Sequence, residues 1–269
     1  MRIAVSNIAW SIEEEAEIAQ VLVRRGIDAV EVAPTKAFPD LSAVAPREVA
    51  AYADAWRAHG IDIVAVQSVL FGRPDLSLFD DDAVPFLRYM KHAIQVSTDL
   101  GSPVVVFGSP RNRRVPDEMA QQEAAARSAD RFTELGEFAS ARGVTLCLEP
   151  NPPRYGANYL TNAAEANSLV ELLSVDGVKL HLDTATMFLA DDDASSSIEA
   201  YSKNLRHFHV SAVDLGPIET REIDHRAAAE SLRTTDYSGI VSVEMRPAER
   251  GTAREQVDNA LDIAIEAYG

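Results

Sequence analysis

The sequence predicts an α/β protein built as a single-domain (β/α)8 TIM barrel, in which eight parallel strands each lead into a helix. Three observations favour this fold class. Short apolar segments alternate with amphipathic segments of helix length from one end of the chain to the other. Eight such apolar segments can be counted, and the chain of 269 residues is close to the ~250 of a typical barrel. An open, doubly wound sheet is the alternative, but its first turn is usually glycine-rich, and the sequence has NIAWSIEEE there.

The pattern of residue types places the individual elements. The predicted strands are Ile3–Ile8, Ala29–Ala33, Ile61–Val69, Val104–Phe107, Val144–Glu149, Val178–Asp183, His207–Ser211 and Ile240–Met245. Amphipathic helices are predicted over residues 11–26, 46–60, 84–101 and 117–143, the first with Ser11 and Glu14 in capping-box spacing. Gly26, Gly60, Gly101 and Gly143 end these helices just before the next strand, as C-cap glycines do. No linker interrupts the alternation, which predicts one domain over residues 1–269.

The composition argues against several classes of protein. A formal net charge of −17 opposes nucleic-acid binding, because phosphate backbones require a basic surface. No stretch reaches the ~18 consecutive apolar residues of a membrane helix, and MRIAVSNIAW is typical of a strand rather than of a signal peptide. The single cysteine, Cys147, cannot form an internal disulfide, which suits a reducing compartment. We therefore expect a cytoplasmic protein without nucleic-acid or membrane partners.

The last four predicted strands carry polar residues at every second position. Strand five has Thr145, Cys147 and Glu149 on one face and two leucines, Leu146 and Leu148, on the other. The polar faces of the next three strands hold Lys179, His181 and Asp183, then His207, His209 and Ser211, then Ser242, Glu244 and Arg246. In a barrel the apolar faces contact the helices, so we expect the polar faces to line the interior.

Four of these polar residues fall at the carboxyl ends of consecutive strands, where barrel enzymes hold their catalytic groups: Glu149, Asp183, His209 and Glu244. A single histidine on a strand is more often a hydrogen-bonded core residue than a ligand. Three carboxylates and one imidazole at the same depth would instead repel one another unless a cation lay among them. This set of donors suits one divalent ion such as Mn²⁺, Mg²⁺, Co²⁺ or Zn²⁺.

The segments LCLEPN, HLDTATM, HFHVS and VSVEMR, in this order and strand context, resemble the xylose-isomerase-like barrel superfamily of sugar isomerases and epimerases, and its ketose 3-epimerase-like members in particular. The resemblance covers nearly the whole chain. It implies that Glu149, Asp183, His209 and Glu244 bind one divalent metal. It also implies that Glu149 and Glu244 act as catalytic acid and base on a metal-stabilised enediolate.

The sequence also departs from these relatives. Ketose epimerases carry a histidine three residues after the metal-binding aspartate, where this chain has Thr186, and a glutamate after strand five, where it has Gly156. The resemblance therefore implies an altered set of substrate contacts. Endonuclease IV-like members of the superfamily need further histidines for a three-metal cluster, and the corresponding positions here lack them. Asp224 and His225 are read either as groups near the metal or as a helix cap and its neighbour.

Several residues are candidates for contacting a substrate near the carboxyl ends of the strands. Arginines suggest an anionic substrate, since a guanidinium matches phosphate or carboxylate, although they could equally pair with surface acids such as Asp117 or Glu118. The candidates are Arg111, Arg113, Arg114, Arg154, Arg246 and Lys36, together with Gln67, Glu31, Trp10 and His181. Gln67 and Glu31 could instead fill the barrel interior, and Trp10 could pack against a helix.

These observations predict a metal-dependent enzyme that isomerises or epimerises a sugar, a sugar phosphate or an acidic sugar. One alternative is a metal-dependent dehydratase or lyase of a keto-sugar or keto-inositol on the same scaffold. Another is a non-catalytic barrel that binds a carbohydrate. The expected partner is a small-molecule sugar or anionic sugar derivative, and the sequence leaves a homo-oligomer open.

Overall fold

The computed structural model describes residues 1–219, 222–247 and 251–269. Eight strands, all paired in parallel with their neighbours, form a closed barrel in the order β1 to β8. They are β1 Arg2–Ser6, β2 Ala29–Val32, β3 Asp62–Val66, β4 Val104–Phe107, β5 Thr145–Leu148, β6 Val178–Asp183, β7 Leu205–Ser211 and β8 Ile240–Glu244. The predicted barrel is confirmed, and the open sheet is wrong because β8 pairs with β1.

The helices follow the strands as the pattern predicted, with short additional helices in the loops. They are α1 Glu15–Arg24, α2 Pro34–Ala37, α3 Pro46–Arg57, α4 Val84–Leu100, α5 Gln121–Ser140, α6 Ala163–Leu173, α7 Thr184–Leu189, α8 Ala194–Tyr201, α9 His225–Thr234 and α10 Ala253–Tyr268. The backbone N–H of Ser11 donates to Glu14 Oε2 at 2.7 Å, as the capping-box spacing predicted. Gly101 ends α4 with φ of 79°, a left-handed conformation that favours glycine.

The alternation along the strands separates two apolar regions. Leu146 and Leu148 belong to the large core between the barrel and its helices. Cys147, between them in sequence, packs instead with residues from β3 and β4 inside the barrel. The remaining interior is polar toward the carboxyl ends, where the last three strands contribute the buried residues His181, Asp183, His207, His209, Ser211, Ser242 and Glu244.

In the described part of the chain, no helix has the length and apolar character that crossing a membrane requires.

Candidate metal centre

Glu149, Asp183, His209 and Glu244 converge at the carboxyl end of the barrel. One ligand atom from each lies within 4.8 Å of those from the other three. Asp183 and Ser211 end β6 and β7, Glu244 ends β8, and Glu149 directly follows β5. The parallel strands therefore deliver these side chains to one edge of the sheet.

Asp183 is held by both of its carboxylate oxygens. It is the N-cap of α7, and its Oδ1 accepts a hydrogen bond from the backbone N–H of Thr186 at 2.7 Å. Its Oδ2 accepts from the hydroxyl of Ser211 at 2.6 Å. These two hydrogen bonds fix the orientation of the Asp183 carboxylate. Each of its oxygens keeps a lone pair that could bind a cation.

His209 is fully buried, and its two ring nitrogens face different groups. Nε2 lies 2.9 Å from Glu31 Oε2. Nδ1 lies 3.3 Å from Glu244 Oε2 and 3.9 Å from Asp183 Oδ2, but makes no hydrogen bond of acceptable geometry in the described structure. A buried ring nitrogen that faces two carboxylates without such a bond is suited to coordinate a cation between them.

The half-buried carboxylate of Glu149 lies directly against the backbone of Gly108, just after β4. A Cβ atom on Gly108 would lie 2.1 Å from Glu149 Oε2, closer than any non-bonded contact permits. The backbone N–H of Glu149 donates to the carbonyl of Phe107 at 3.1 Å, which continues the pairing of β4 and β5 by one residue. Gly108 therefore provides the space that Glu149 occupies.

Three ionisable groups of the cluster have shifted pKa values, because they are buried and lie close to one another. Burial, followed by the charges of Glu244 and Asp183, raises the pKa of Glu149 to about 8. Burial, followed by Glu244, raises the pKa of Asp183 to about 6. Burial opposes charge on His209, but Glu31 and Glu244 outweigh it and raise its pKa well above the usual range. Clustered acids with raised pKa values are what a divalent cation would stabilise in their charged form, so the donor set fits such an ion.

Three of the predicted substrate contacts have fully buried side chains, and their contact with a substrate stays a prediction. Trp10 packs on Trp56, with ring centroids 6.4 Å apart. Arg113 donates to the carbonyls of Phe107 and Leu160, each at 3.3 Å. His181 lies deeper in the barrel, its ring centroid 4.2 Å from that of His209.

Other candidates lie at the surface or already have partners. Arg154 donates to Asp214 Oδ2 at 2.8 Å, and Arg114 to the carbonyl of Gly156 at 3.3 Å. Arg111 is exposed. The backbone N–H of Arg246, an exposed residue, donates to the carbonyl of Leu215 at 2.8 Å.

The remaining polar candidates are tied into the protein. The amide of Gln67, 3% exposed, donates to Ser6 Oγ at 2.6 Å. The ammonium of Lys36 donates to the backbone carbonyl of Asn7. Their contact with a substrate stays a prediction, as it does for Arg111, Arg154 and Arg246.

Asp224 and His225 do not join the cluster. Asp224 Oδ1 accepts from the backbone N–H groups of Arg226 and Ala227 at 3.1 and 3.0 Å and so caps α9. His225 Nδ1 lies 3.2 Å from the hydroxyl of Tyr268. The geometry matches the second interpretation of this pair, in which Asp224 caps a helix and His225 is its neighbour.

Sequence patterning missed the parts played by Ser211, Gly108 and Tyr155. Ser211 could have been found, since it ends the polar face of β7. Gly108 and Tyr155 carry no such signal, because they lie in loops. The Tyr155 hydroxyl accepts from the backbone N–H of Asp214 at 2.9 Å. Burial first, and then the charges of Asp214 and Asp183, raise the pKa of this phenol.

The sequence profile of the family described as "Xylose isomerase-like TIM barrel" matches residues 19–263, and the chain belongs to this family. A curated relative, the L-ribulose 3-epimerase of Mesorhizobium japonicum, is 27% identical over 187 residues, which are 69% of this chain and 63% of the relative. The chain thus aligns with somewhat less than two thirds of that relative's length.

Solved structures share the fold over the whole chain. A structure of L-ribulose 3-epimerase superposes with a TM-score of 0.85 at 21% identity, covering 99% of this chain and 94% of the other. A structure of D-psicose 3-epimerase in the presence of D-fructose gives a TM-score of 0.83 at 18% identity, covering all of both chains.

Proposed function

We propose that this protein is a divalent-metal-dependent ketose epimerase or isomerase. The observation that carries the proposal is the convergence of Glu149, Asp183, His209 and Glu244 at the carboxyl end of the barrel. Membership of the xylose isomerase-like family and the similarity to curated ketose 3-epimerases support it. Manganese, magnesium, cobalt and zinc all suit the donor set.

The four residues would hold the ion, and the ion would supply positive charge to the carbonyl and hydroxyl oxygens of a bound ketose. Glu149 and Glu244 then have a second role as proton carriers. They come from β5 and β8, three strands apart in the ring, so they approach the centre from different sides. One carboxylate could remove the proton from a carbon next to the carbonyl, and the other could return a proton to the opposite face.

The structure also bears on the substrate's charge. Two of the arginines proposed to recognise an anion already bond other groups of the protein: Arg113 is buried against backbone carbonyls and Arg154 is paired with Asp214. We therefore propose a neutral ketose as the first substrate to test and a phosphorylated or acidic sugar as the second.

The test is exchange of carbon-bound hydrogen with solvent. The Mn²⁺-loaded protein is incubated in D₂O with L-ribulose, D-psicose, D-fructose and phosphorylated ketoses, and products are followed by NMR. We expect deuterium at a carbon next to the carbonyl, together with the epimeric sugar. Glu149→Gln and Glu244→Gln should each lower the rate by roughly 10²–10⁴-fold, the usual contribution of acid–base catalysis.

Asp224→Asn is the matched control, because it makes the same carboxylate-to-amide change at a helix cap outside the cluster. Its rate should equal that of the wild type. Loss of water from the substrate would overturn the proposal in favour of a lyase. Sugar binding without any exchange, unaffected by metal removal, would leave a carbohydrate-binding barrel.

A further inference from the structure

A buried hydrogen-bonded network lies beneath the metal centre in the barrel interior. Glu31, on β2, is fully buried and reaches two histidines of β7. Its Oε2 lies 2.9 Å from His209 Nε2, and its Oε1 lies 3.2 Å from His207 Nε2. The carboxylate is therefore anchored at both oxygens, and one of its two partners is a residue of the metal centre.

The contact with Glu31 decides which nitrogen of His209 keeps its proton when the other nitrogen binds an ion. A carboxylate accepts hydrogen bonds only, so at 2.9 Å it requires a proton on His209 Nε2. In the neutral imidazole this leaves the lone pair on Nδ1, the nitrogen that faces Glu244 and Asp183. The opposite tautomer would place an N–H on Nδ1 and close this position to a cation.

The surrounding packing holds the ring in the same orientation. The ring of His181 meets that of His209 nearly edge to face, at a centroid distance of 4.2 Å and an interplanar angle of 77°. The second oxygen of Glu31 is held by His207, whose other nitrogen lies 3.4 Å from the carbonyl of Ile240. Rotation of His209 would break its bond to Glu31 and push its ring into His181.

We propose that Glu31 is a positioning residue of the metal centre, which fixes the tautomer and ring orientation of His209 and strengthens its Nδ1 as a ligand. This inference depends on the proposed metal-dependent function. Outer carboxylates that bond a ligating histidine typically change metal affinity or activity by about 10–100-fold when they are replaced.

The three histidines inside the barrel allow a competing arrangement, in which they bind an ion themselves. The ring nitrogens of His181, His207 and His209 lie within 4.8 Å of one another, a spacing that could hold an ion in the interior. The nitrogens of His207 and His209 that face the interior are already directed at Glu31, which favours the hydrogen-bonded network. In the competing arrangement Glu31 would lie beside a second ion as a further ligand, so counting the bound ions separates the two.

The experiment compares wild-type protein with Glu31→Gln, which has almost the same shape but lacks the charge. Co²⁺ is titrated into the metal-free proteins, and its affinity, stoichiometry and visible absorption spectrum are recorded. We expect one ion per chain in both, about 10–100-fold weaker binding in Glu31→Gln and an altered spectrum. Asp224→Asn, a carboxylate-to-amide change at the cap of α9 outside the cluster, should match the wild type in all three measurements.

Each other result has a distinct meaning. Unchanged affinity and spectrum in Glu31→Gln would overturn the inference while leaving the metal centre intact. Two ions in the wild type, one of them lost in Glu31→Gln, would make Glu31 a ligand of a second site. No ion in the wild type would contradict the proposed function itself. If Glu31→Gln does not fold, His207→Gln is the variant to use, because it changes the contact at the other oxygen of Glu31. It should weaken Co²⁺ binding by less than the roughly 10–100-fold expected for Glu31→Gln. Unchanged Co²⁺ binding in His207→Gln would also overturn the inference.

Discussion

At the scale of single residues, Gly108 is required by the position of a neighbouring side chain. A methyl group there would lie 2.1 Å from Glu149 Oε2 and 3.3 Å from its carboxyl carbon. Because the end of a glutamate can swing away, we expect Gly108→Ala to fold but to displace Glu149 from the cluster. Metal affinity, measured by calorimetric titration, should fall by at least about 10-fold, as expected for an impaired ligand.

Gly216→Ala is the control for this change. Gly216 lies in the loop after β7 with φ of −65°, and its added methyl would meet only the carbonyl of Val213, at 3.3 Å. Metal affinity there should equal that of the wild type. Equal affinity in Gly108→Ala would show that Glu149 is not a ligand, or that it binds the ion from another position.

Sequence patterning worked for residues inside strands and failed for residues in loops. The period of two along β5 to β8 identifies the face of each side chain, so the four-residue cluster could be predicted. Trp10 and Arg113 lie beyond the ends of strands, where no period applies. Each is fully buried in the structure, and that depends on how its loop returns to the barrel.

At the scale of elements, Asp183 both ends β6 and caps α7, and two substitutions separate its roles. An asparagine keeps an oxygen for the Thr186 N–H and can still bond Ser211, so Asp183→Asn should retain the cap but lose metal binding. Asp183→Ala loses both. Measured in EDTA, Asp183→Ala should be less stable than Asp183→Asn by about 1 kcal/mol, the usual value of an N-cap.

In thermal unfolding, this difference corresponds to a melting temperature roughly 2–4 °C lower for Asp183→Ala than for Asp183→Asn. Thr252→Ala at the start of α10, which also has a side-chain cap, provides a comparison away from the metal centre. It should show a similar loss of stability with unchanged metal binding. Identical melting temperatures of the two Asp183 variants would mean that the cap contributes little to stability.

The boundaries of the elements were less predictable than their order. Strand β1 ends at Ser6 rather than Ile8, because Asn7–Ala9 form a 3-10 helix capped by the Ser6 side chain. Strand β5 ends at Leu148, one residue before Glu149. Apolar residues that continue past a strand are common where the chain turns over a buried core. The apolar pattern in the sequence is therefore longer than the segment that pairs as a strand, and a boundary predicted from it falls too late.

At the scale of the whole molecule, the barrel could be predicted because its evidence is repeated eight times along the chain. The role of Glu31 could not, because its partners on β7 lie 176 and 178 positions away in sequence. The alternation in β2 gives only its inward direction. Which polar residues meet across the interior depends on the register of the closed sheet.

The final prediction concerns the response of stability to pH. In the metal-free protein the pKa of Glu149 is raised to about 8 and that of Asp183 to about 6. A raised pKa means that the folded state holds the proton more tightly than the unfolded state. The stability from this source is therefore complete below the usual pKa values of 3.8 and 4.5, and it is lost as pH rises from there to about 6 for Asp183 and to about 8 for Glu149. The melting temperature in EDTA should accordingly fall over this window.

Metal binding should have the opposite dependence, since the ligands must lose their protons to coordinate an ion. The rise in melting temperature on adding Mn²⁺ should thus be small near pH ~5.5 and largest near pH ~8.5, measured by calorimetry at fixed ion concentration.

Glu149→Gln removes the higher of the two titrations, and its melting temperature in EDTA should fall less over the upper half of the window. The net charge of −17 is changed by only one unit in this variant, so general charge repulsion remains almost the same. If the melting temperatures of the wild type and of Glu149→Gln fall in parallel as pH rises, the prediction is contradicted. That result would mean that the pKa of Glu149 is not raised by its neighbours in the cluster.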